Sequence, residues 1–497
     1  MKQKKTNPSK SFIYIRKLFS PFGSDSDILT VAYVMYEFAS RVTIFNFNIL
    51  SPLYIAELGD LTFGGEYGKI IWGYVTATAA ILTVFAYLSL TPIIEFGNLK
   101  RDTLILCSSI CALLHIVFIT FFFDRAIYLA VPFMIFAKIT QRVSDVAFNA
   151  LLDVVAQNKD PHQISSRCNI TGYTGMLFFL VIASLFMVII RVIFNPPKIF
   201  MQRTIPIFLI GMWYYLFMRL INVMLPCTLG DGLHVPKDVG SGVISFLYGS
   251  FKVGIREQIG NLTYVYRFKD LSLFILSFVF LQGAANTAVS VAAIFTVDIL
   301  HLPVRYVASS MLLGLASAIL GLGFYNSIHN LGIVSAKQIL LINMSILTLC
   351  MIYALKVKSA YDIYLLSILC GSQIGTVSAY SRSIISTLVP KTRQSRLFSF
   401  YEFTQDGTSW IGPLSISTLT TIFGDKYYRN FIVIVCVFEF LIGIPILISV
   451  NVSRGENLRL QTDLIESIPS SSLSSVNMVV SPNIKQETSS INDFSTN

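Results

Sequence analysis

The stretch from Ile28 to Ile55 reads ILTVAYVMYEFASRVTIFNFNILSPLYI and holds two charged side chains, Glu37 and Arg41, spaced one helical turn apart. A bilayer hydrocarbon core of about 30 Å takes roughly 20 predominantly apolar residues in a helix, so the stretch is long enough to cross one. Its apolar residues run around the whole helical circumference rather than along one stripe, as expected where lipid or neighbouring helices lie on every side. Residues 1–27 are polar and basic and contain no short apolar core followed by a small-residue cleavage site, so the stretch reads as a first span and not as a cleaved signal peptide.

Outward from it the same pattern recurs almost to Val450. Apolar runs bounded by charge or by Pro and Gly predict helices over Ile28–Ile55, Lys69–Ile94, Thr103–Phe123, Ala126–Ala156, Ser165–Phe194 and Arg203–Cys227. A second group covers Leu271–Leu300, Pro303–Tyr325, Lys337–Leu355, Ala360–Val389, Arg396–Phe423 and Tyr428–Val450. The fold class is therefore an all-α membrane protein of twelve spans in two six-helix halves, 28–227 and 271–450. Composition agrees: 54% of residues are hydrophobic and 13% charged, against about a quarter charged in soluble domains, which excludes a water-soluble globular enzyme.

Lysine and arginine orient the bundle. With a cytoplasmic N-terminus, the inward segments carry 22 of the 37 cations and the outward segments 9, which predicts both termini in the cytoplasm. The net charge of +10 then faces anionic lipid headgroups, and nucleic acid is not an expected partner. Between the halves, residues 228–270 alternate basic residues with Ile244, Phe251, Ile255, Ile259 and Leu262, the pattern of a helix lying on a membrane surface. The segment 451–497, Ser- and Asn-rich from Glu466, is expected to be a disordered cytoplasmic tail. A faint internal repeat puts Ser166-Arg167 opposite Ser395-Arg396. The seven cysteines lie in or at the ends of apolar segments, with no disulfide framework or metal spacing, and no cofactor is expected. The sequences Leu58-Gly59-Asp60 and Leu229-Gly230-Asp231 fall in predicted connections, and no Walker loop, His-Glu-x-x-His or serine elbow is present, so the chain does not read as an enzyme.

Charge inside a span costs about 2.5–3.5 kcal/mol at the helix centre on insertion scales, so it marks an interior or a water-filled cavity. Glu37 and Arg41 share a face of the first span, and Lys138, Arg142 and Asp145 share one of the fourth, at i, i+4 and i+7. Gln282 and Asn286 repeat the four-residue spacing in the seventh, next to Gly283-Ala284-Ala285. Arg382 stands in the tenth, and Glu402 and Asp406 lie four apart in the eleventh. Two readings remain open: Glu37 with Arg41 and Arg142 with Asp145 are ion pairs that hold helices or lock a gate, or these residues bind solute. Because Arg142 and Asp145 can neutralise each other, Lys138 is the better ligand candidate. Glu439 in the twelfth span is expected to pack against a neighbouring Ser or Tyr, and His115 to be a hydrogen-bonded core histidine.

The motifs Ala379-Tyr380-Ser381-Arg382-Ser383, Leu388-Val389-Pro390, Tyr401-Glu402, Gly407, Ser409-Trp410 and Gly412-Pro413 resemble those of the autophagy-related vacuolar effluxer family, a branch of the major facilitator type. Tyr36-Glu37-Phe38-Ala39, Trp72-Gly73-Tyr74, Glu95 with Lys100-Arg101, Phe148-Asn149-Ala150 and Ser165-Ser166-Arg167 with Gly172-Tyr173 extend the similarity over roughly Ile28 to Val450. The resemblance implies alternating access, amino acids as the solute, efflux from a vacuole or lysosome-like organelle, and the first and fourth spans of each half as cavity walls. The chain departs from the family at Cys168 (glycine there), Asp406 (lysine), Arg396 (an acid), Asp153 (proline) and Gln282 (commonly an acid). Glu402 and Asp406 are accordingly read first as a gate latch, with Glu402 pairing Arg382, and second as a site that couples protons to transport. Another organic anion or metabolite, or a non-transporting scaffold, is the alternative function.

Overall fold

The computed structural model describes residues 28–64, 67–96, 99–121, 126–155, 161–194, 204–225, 243–390, 397, 400–401, 403–404 and 407–467. Its first helix, α1 (Ile28–Phe63), runs well past Ile55. Pro52 has no N–H to donate, and the chain absorbs this with a wide π turn at Asn46–Leu50, where Ser51 N–H reaches back to the Asn46 carbonyl. The helix stops at Gly64, whose φ of 72° suits glycine alone among common residues. Leu58-Gly59-Asp60 is therefore helical and not a connection: Gly59 lies against the backbone of Gly68, whose N–H donates to Asp60 Oδ1 at 2.7 Å.

The remaining helices are α2 (Gly68–Phe96), α3 (Lys100–Val117), α4 (Ile127–Val155), α5 (Pro161–Phe194) and α6 (Ile205–Met224), then α7 (Val243–Arg267) within the connection, and α8 (Lys269–Ile294), continued by a π turn at Phe295–Ile299. They end with α9 (Val304–Asn330), α10 (Ala336–Ala354), α11 (Ala360–Leu388), α12 (Ile411–Phe423), α13 (Tyr428–Ser449) and α14 (Val452–Ser467). Among the described residues there is no strand, and ten helices are long and apolar enough to cross a membrane. The helix α14 corrects the expectation of disorder from residue 451. Asp270, buried at the start of α8, accepts from both the Nε and an outer nitrogen of Arg454 at 2.7 Å and from Asn451 N–H at 2.8 Å, which fastens α14 down. Residues 468–497 and 395–396, with the repeat expected there, lie outside the described residues.

A different correspondence between the halves is visible. At the start of α3, Arg101 donates to the Asn222 and Leu225 carbonyls at the end of α6 (3.2 Å each). At the start of α10, Lys337 donates to the Ile448 and Val450 carbonyls at the end of α13 (2.8 and 2.6 Å). Each cation satisfies carbonyls that a helix end leaves without an intrahelical partner. The opening helix of each half also carries a π turn.

The halves meet through α2, through α1 on α8, and through α5 on α9. A Cβ on Gly73 would lie 1.7 Å from Ser417 Oγ, so glycine lets α2 touch α12. Trp72 Nε1 donates to the Ser290 carbonyl of α8 at 3.3 Å, and Lys69, 7% exposed, pairs with Asp425 at 2.5 Å beneath the ring of Tyr428.

Candidate functional site

One turn below that seam, α1, α2, α4, α8 and α12 line a partly open cavity of about 90 Å³. Its wall is the π turn of α1 (Phe47, Asn48, with Thr43), Thr76 and Thr83 of α2, Lys138, Gln141, Arg142 and Asp145 of α4, Asn286 and Ser290 of α8, Pro413 of α12 and Ser409 in the turn just before it. The i, i+4, i+7 face of α4 thus points inward. Asp145 is held on three sides: Tyr36 OH donates at 3.1 Å, Gln141 Nε2 at 2.9 Å, and Arg142 lies at 3.8 Å. Tyr36 is buried against Phe148, with Ser144 at 2.8 Å, so the carboxylate is oriented before any solute arrives. Gln282 donates to Asn286 Oδ1 at 3.0 Å and so aims the Asn286 side chain from one turn away.

Glu37 and Arg41 are not in the described cavity wall. Arg41 donates to both Glu37 oxygens at 2.6 and 3.2 Å and to Asn169 Oδ1 of α5 at 2.8 Å. The close approach is possible because Gly172 leaves room for the arginine stem, which a Cβ would meet at 2.5 Å. Of the two readings of this pair, the geometry matches a tie between α1 and α5. Arg382 likewise is not in the wall; it lies close enough to Cys168 on α5, across the boundary between the halves, for its charge to be felt there. Glu402 and Asp406 lie outside the described residues. His115 sits as expected in the core, its Nδ1 donating to the Cys111 carbonyl at 2.7 Å and Asn46 Nδ2 donating to its Nε2 at 2.9 Å. Among the described residues Glu439 Oε2 accepts no hydrogen bond from a Ser or Tyr, and its carboxyl rests against Gly283 of α8.

Sequence reasoning did not single out Thr43, Asn48, Thr76, Thr83, Gln141, Ser290 or Ser409. Gln141 had a usable signal, an amide in an apolar span beside Arg142. Nor was the Lys69–Asp425 pair foreseen, since it joins residues far apart in the chain.

A model of the vacuole effluxer Atg22-like family matches residues 71–459. The chain belongs to that family. Similar proteins include Autophagy-related protein 22 of Pichia angusta, 24% identical over 338 residues (63% of this chain and 60% of that protein), and of Candida glabrata, 23% identical over 313 residues (59% and 56%). The chain thus spans somewhat less than two thirds of the length of these curated relatives. Among solved structures, the nucleoside transporter NupG superposes with a TM-score of 0.54 at 13% identity, covering 85% of this chain and 100% of that one. An auto-inhibited POT family peptide transporter gives 0.57 at 14% identity, covering 86% and 96%. At such identities the likeness is one of fold, and that fold is a membrane transporter's.

Proposed function

We propose that the chain is a twelve-span secondary transporter that releases amino acids from a vacuole or lysosome-like compartment, its halves rocking about the cavity. Counting the charged α4 and the shorter apolar α12 beside the ten long apolar helices gives the eleventh and twelfth spans. The observation that carries this reading is the cavity itself: cations at Lys138 and Arg142, a pre-oriented carboxylate at Asp145, and the Asn286 amide face one another between the two halves. A zwitterion needs that set, cations for its carboxylate and an acid for its ammonium. Arg382, Glu37 and Arg41 support the site from outside its wall. Both termini then lie in the cytoplasm, and the Lys69–Asp425 seam lies on the luminal side. Efflux from a vacuole is also what the family's name supports, and amino acids as the solute follow from the resemblance of the motifs.

Purified protein in liposomes loaded with unlabelled amino acid should show counterflow of radiolabelled amino acids from a mixed panel. Counterflow of organic anions without amino acids would favour the second reading, for which the wall's two cations against one acid speak. No counterflow of any solute would favour a scaffold that has kept the fold. A fluorescent tag on the C-terminus should label vacuolar membranes; surface labelling would overturn the location.

A further inference from the structure

Glu439 lies near the middle of α13, at the depth where an ionised side chain without a counter-ion is most costly. It is 6% exposed, and among the described residues its Oε2 meets no hydrogen-bond donor. Both carboxyl oxygens face Gly283, where a Cβ would stand at 3.7 Å, an ordinary contact. Gly283 belongs to α8, which carries the cavity residue Asn286 and ends in a π turn.

The helices packed on α13 bring no charge to this level among the described residues. On α8 the titratable groups, Lys269, Asp270 and Asp298, stand near its two ends, more than ten residues from Gly283, and Asp270 is already bound by Arg454. On α10, Lys337 is engaged by the carbonyls at the end of α13, Cys350 contacts Cys370, and Tyr353 donates to Asp362. The described residues of α12 carry no titratable group, and α13 itself offers Cys436 one turn away and Tyr428 and Arg429 at its start.

From this geometry we infer that Glu439 is a proton-binding site of the transport cycle. With α8 seated on α13 the carboxyl is buried and holds its proton; a shift of α8 against α13 within the second half, as the halves rock, lets water reach Oε2, and the proton leaves as H⁺ to water, returning when the two helices close. The small residues Gly283-Ala284-Ala285 leave the acid against backbone and not against a fixed polar partner, so its solvation changes with every movement of α8. This rests on the transporter reading above, and the test separates the two.

A hydrophobic carbodiimide reacts with protonated carboxyls in apolar surroundings. On the purified full-length protein in lipid, mass spectrometry should find an adduct at Glu439 whose yield falls as pH rises. No adduct, or a yield that ignores pH, overturns the proton site without any solute being needed. In proteoliposomes, an imposed pH gradient should accelerate movement of the radiolabelled amino-acid panel on the order of tenfold in the parent. Glu439→Gln should lose that acceleration and keep exchange at equal pH. Retained acceleration in Glu439→Gln overturns coupling. If this variant does not fold, carbodiimide treatment of the parent at low pH must abolish the acceleration, and unchanged acceleration with Glu439 modified overturns coupling equally. A parent that moves no solute refutes the transporter reading and coupling with it, while the labelling result stands by itself.

Discussion

Lys138 and Glu37 are both charged residues within spans, yet the structure gives them different surroundings, a cavity wall and an ion pair, and substitution should separate the tasks proposed for them. Lys138 faces the cavity, where a charge-assisted hydrogen bond to a solute is worth about 1.5–3 kcal/mol. Lys138→Gln should therefore raise the half-saturating solute concentration by about tenfold to a hundredfold, with folded yield unchanged. Glu37→Gln instead leaves Arg41, whose side chain is 18% exposed, beside a lost partner. Breaking such a pair costs about 3 kcal/mol, and the loss should appear in Tm and yield with solute affinity preserved. Thermal-shift and counterflow measurements on both variants check this; a lowered Tm with unchanged affinity in Lys138→Gln would make that lysine structural. The charged part of the site was legible because charge in an apolar run is rare and helical spacing put Lys138, Arg142 and Asp145 on one face. The hydroxyls were not, because Ser and Thr in spans commonly bond their own helix, as Thr83 does to the Ala79 carbonyl and Ser290 to that of Thr287. Nothing in their spacing distinguishes those that also face a cavity. Glu37 and Arg41 could be read as a pair, but which neighbour that face meets is settled by packing through Asn169 and Gly172.

At the scale of the element, hydropathy marked nearly every long helix, since a segment surrounded by lipid must satisfy its backbone internally. Its failures were at the ends. α1 outran its apolar run because Leu58 and Gly59 are buried against α2, and α14 formed in a polar sequence because Asp270 and Gly455 dock it: a Cβ on Gly455 would meet Leu388 at 2.3 Å. Both outcomes depend on contacts distant in sequence. The docking predicts a measurable dependence. Arg454→Ala leaves the Asp270 carboxylate buried with the Asn451 N–H and should lower the Tm of the purified protein. Asp270→Asn, which keeps a polar group without the charge, should cost less. Equal Tm values for Arg454→Ala and the parent in a thermal unfolding assay would show that α14 contributes nothing to the fold's stability.

For the whole molecule, the seam along α2 is the contact that must open if solute is to enter from the Lys69 end. Lys69→Cys with Asp425→Cys, oxidised across the seam, should abolish counterflow, and a thiol reductant should restore it within a fewfold of the unoxidised rate. Undiminished counterflow in fully cross-linked protein would mean that the halves do not part there. Of the described native cysteines Cys107 and Cys370 are half-buried and the others buried, and the single substitutions serve as controls for them.

The connection between the halves sets a different limit at the other end. α7 is pressed onto α2 of the first half, Gly254 so close to Leu88 that a Cβ would stand 2.0 Å from its carbonyl oxygen, with Phe251 stacked on Phe85. Its last residue, Arg267, is separated by Phe268 alone from α8 of the second half. A single residue spans about 3.3–3.6 Å when extended, so this belt has almost no slack. If the halves rock as proposed, they pivot about Phe268 without drawing apart at that end, so the molecule would open like a pair of tongs hinged near one tip, with a wide stroke on the Lys69 side and a narrow one opposite.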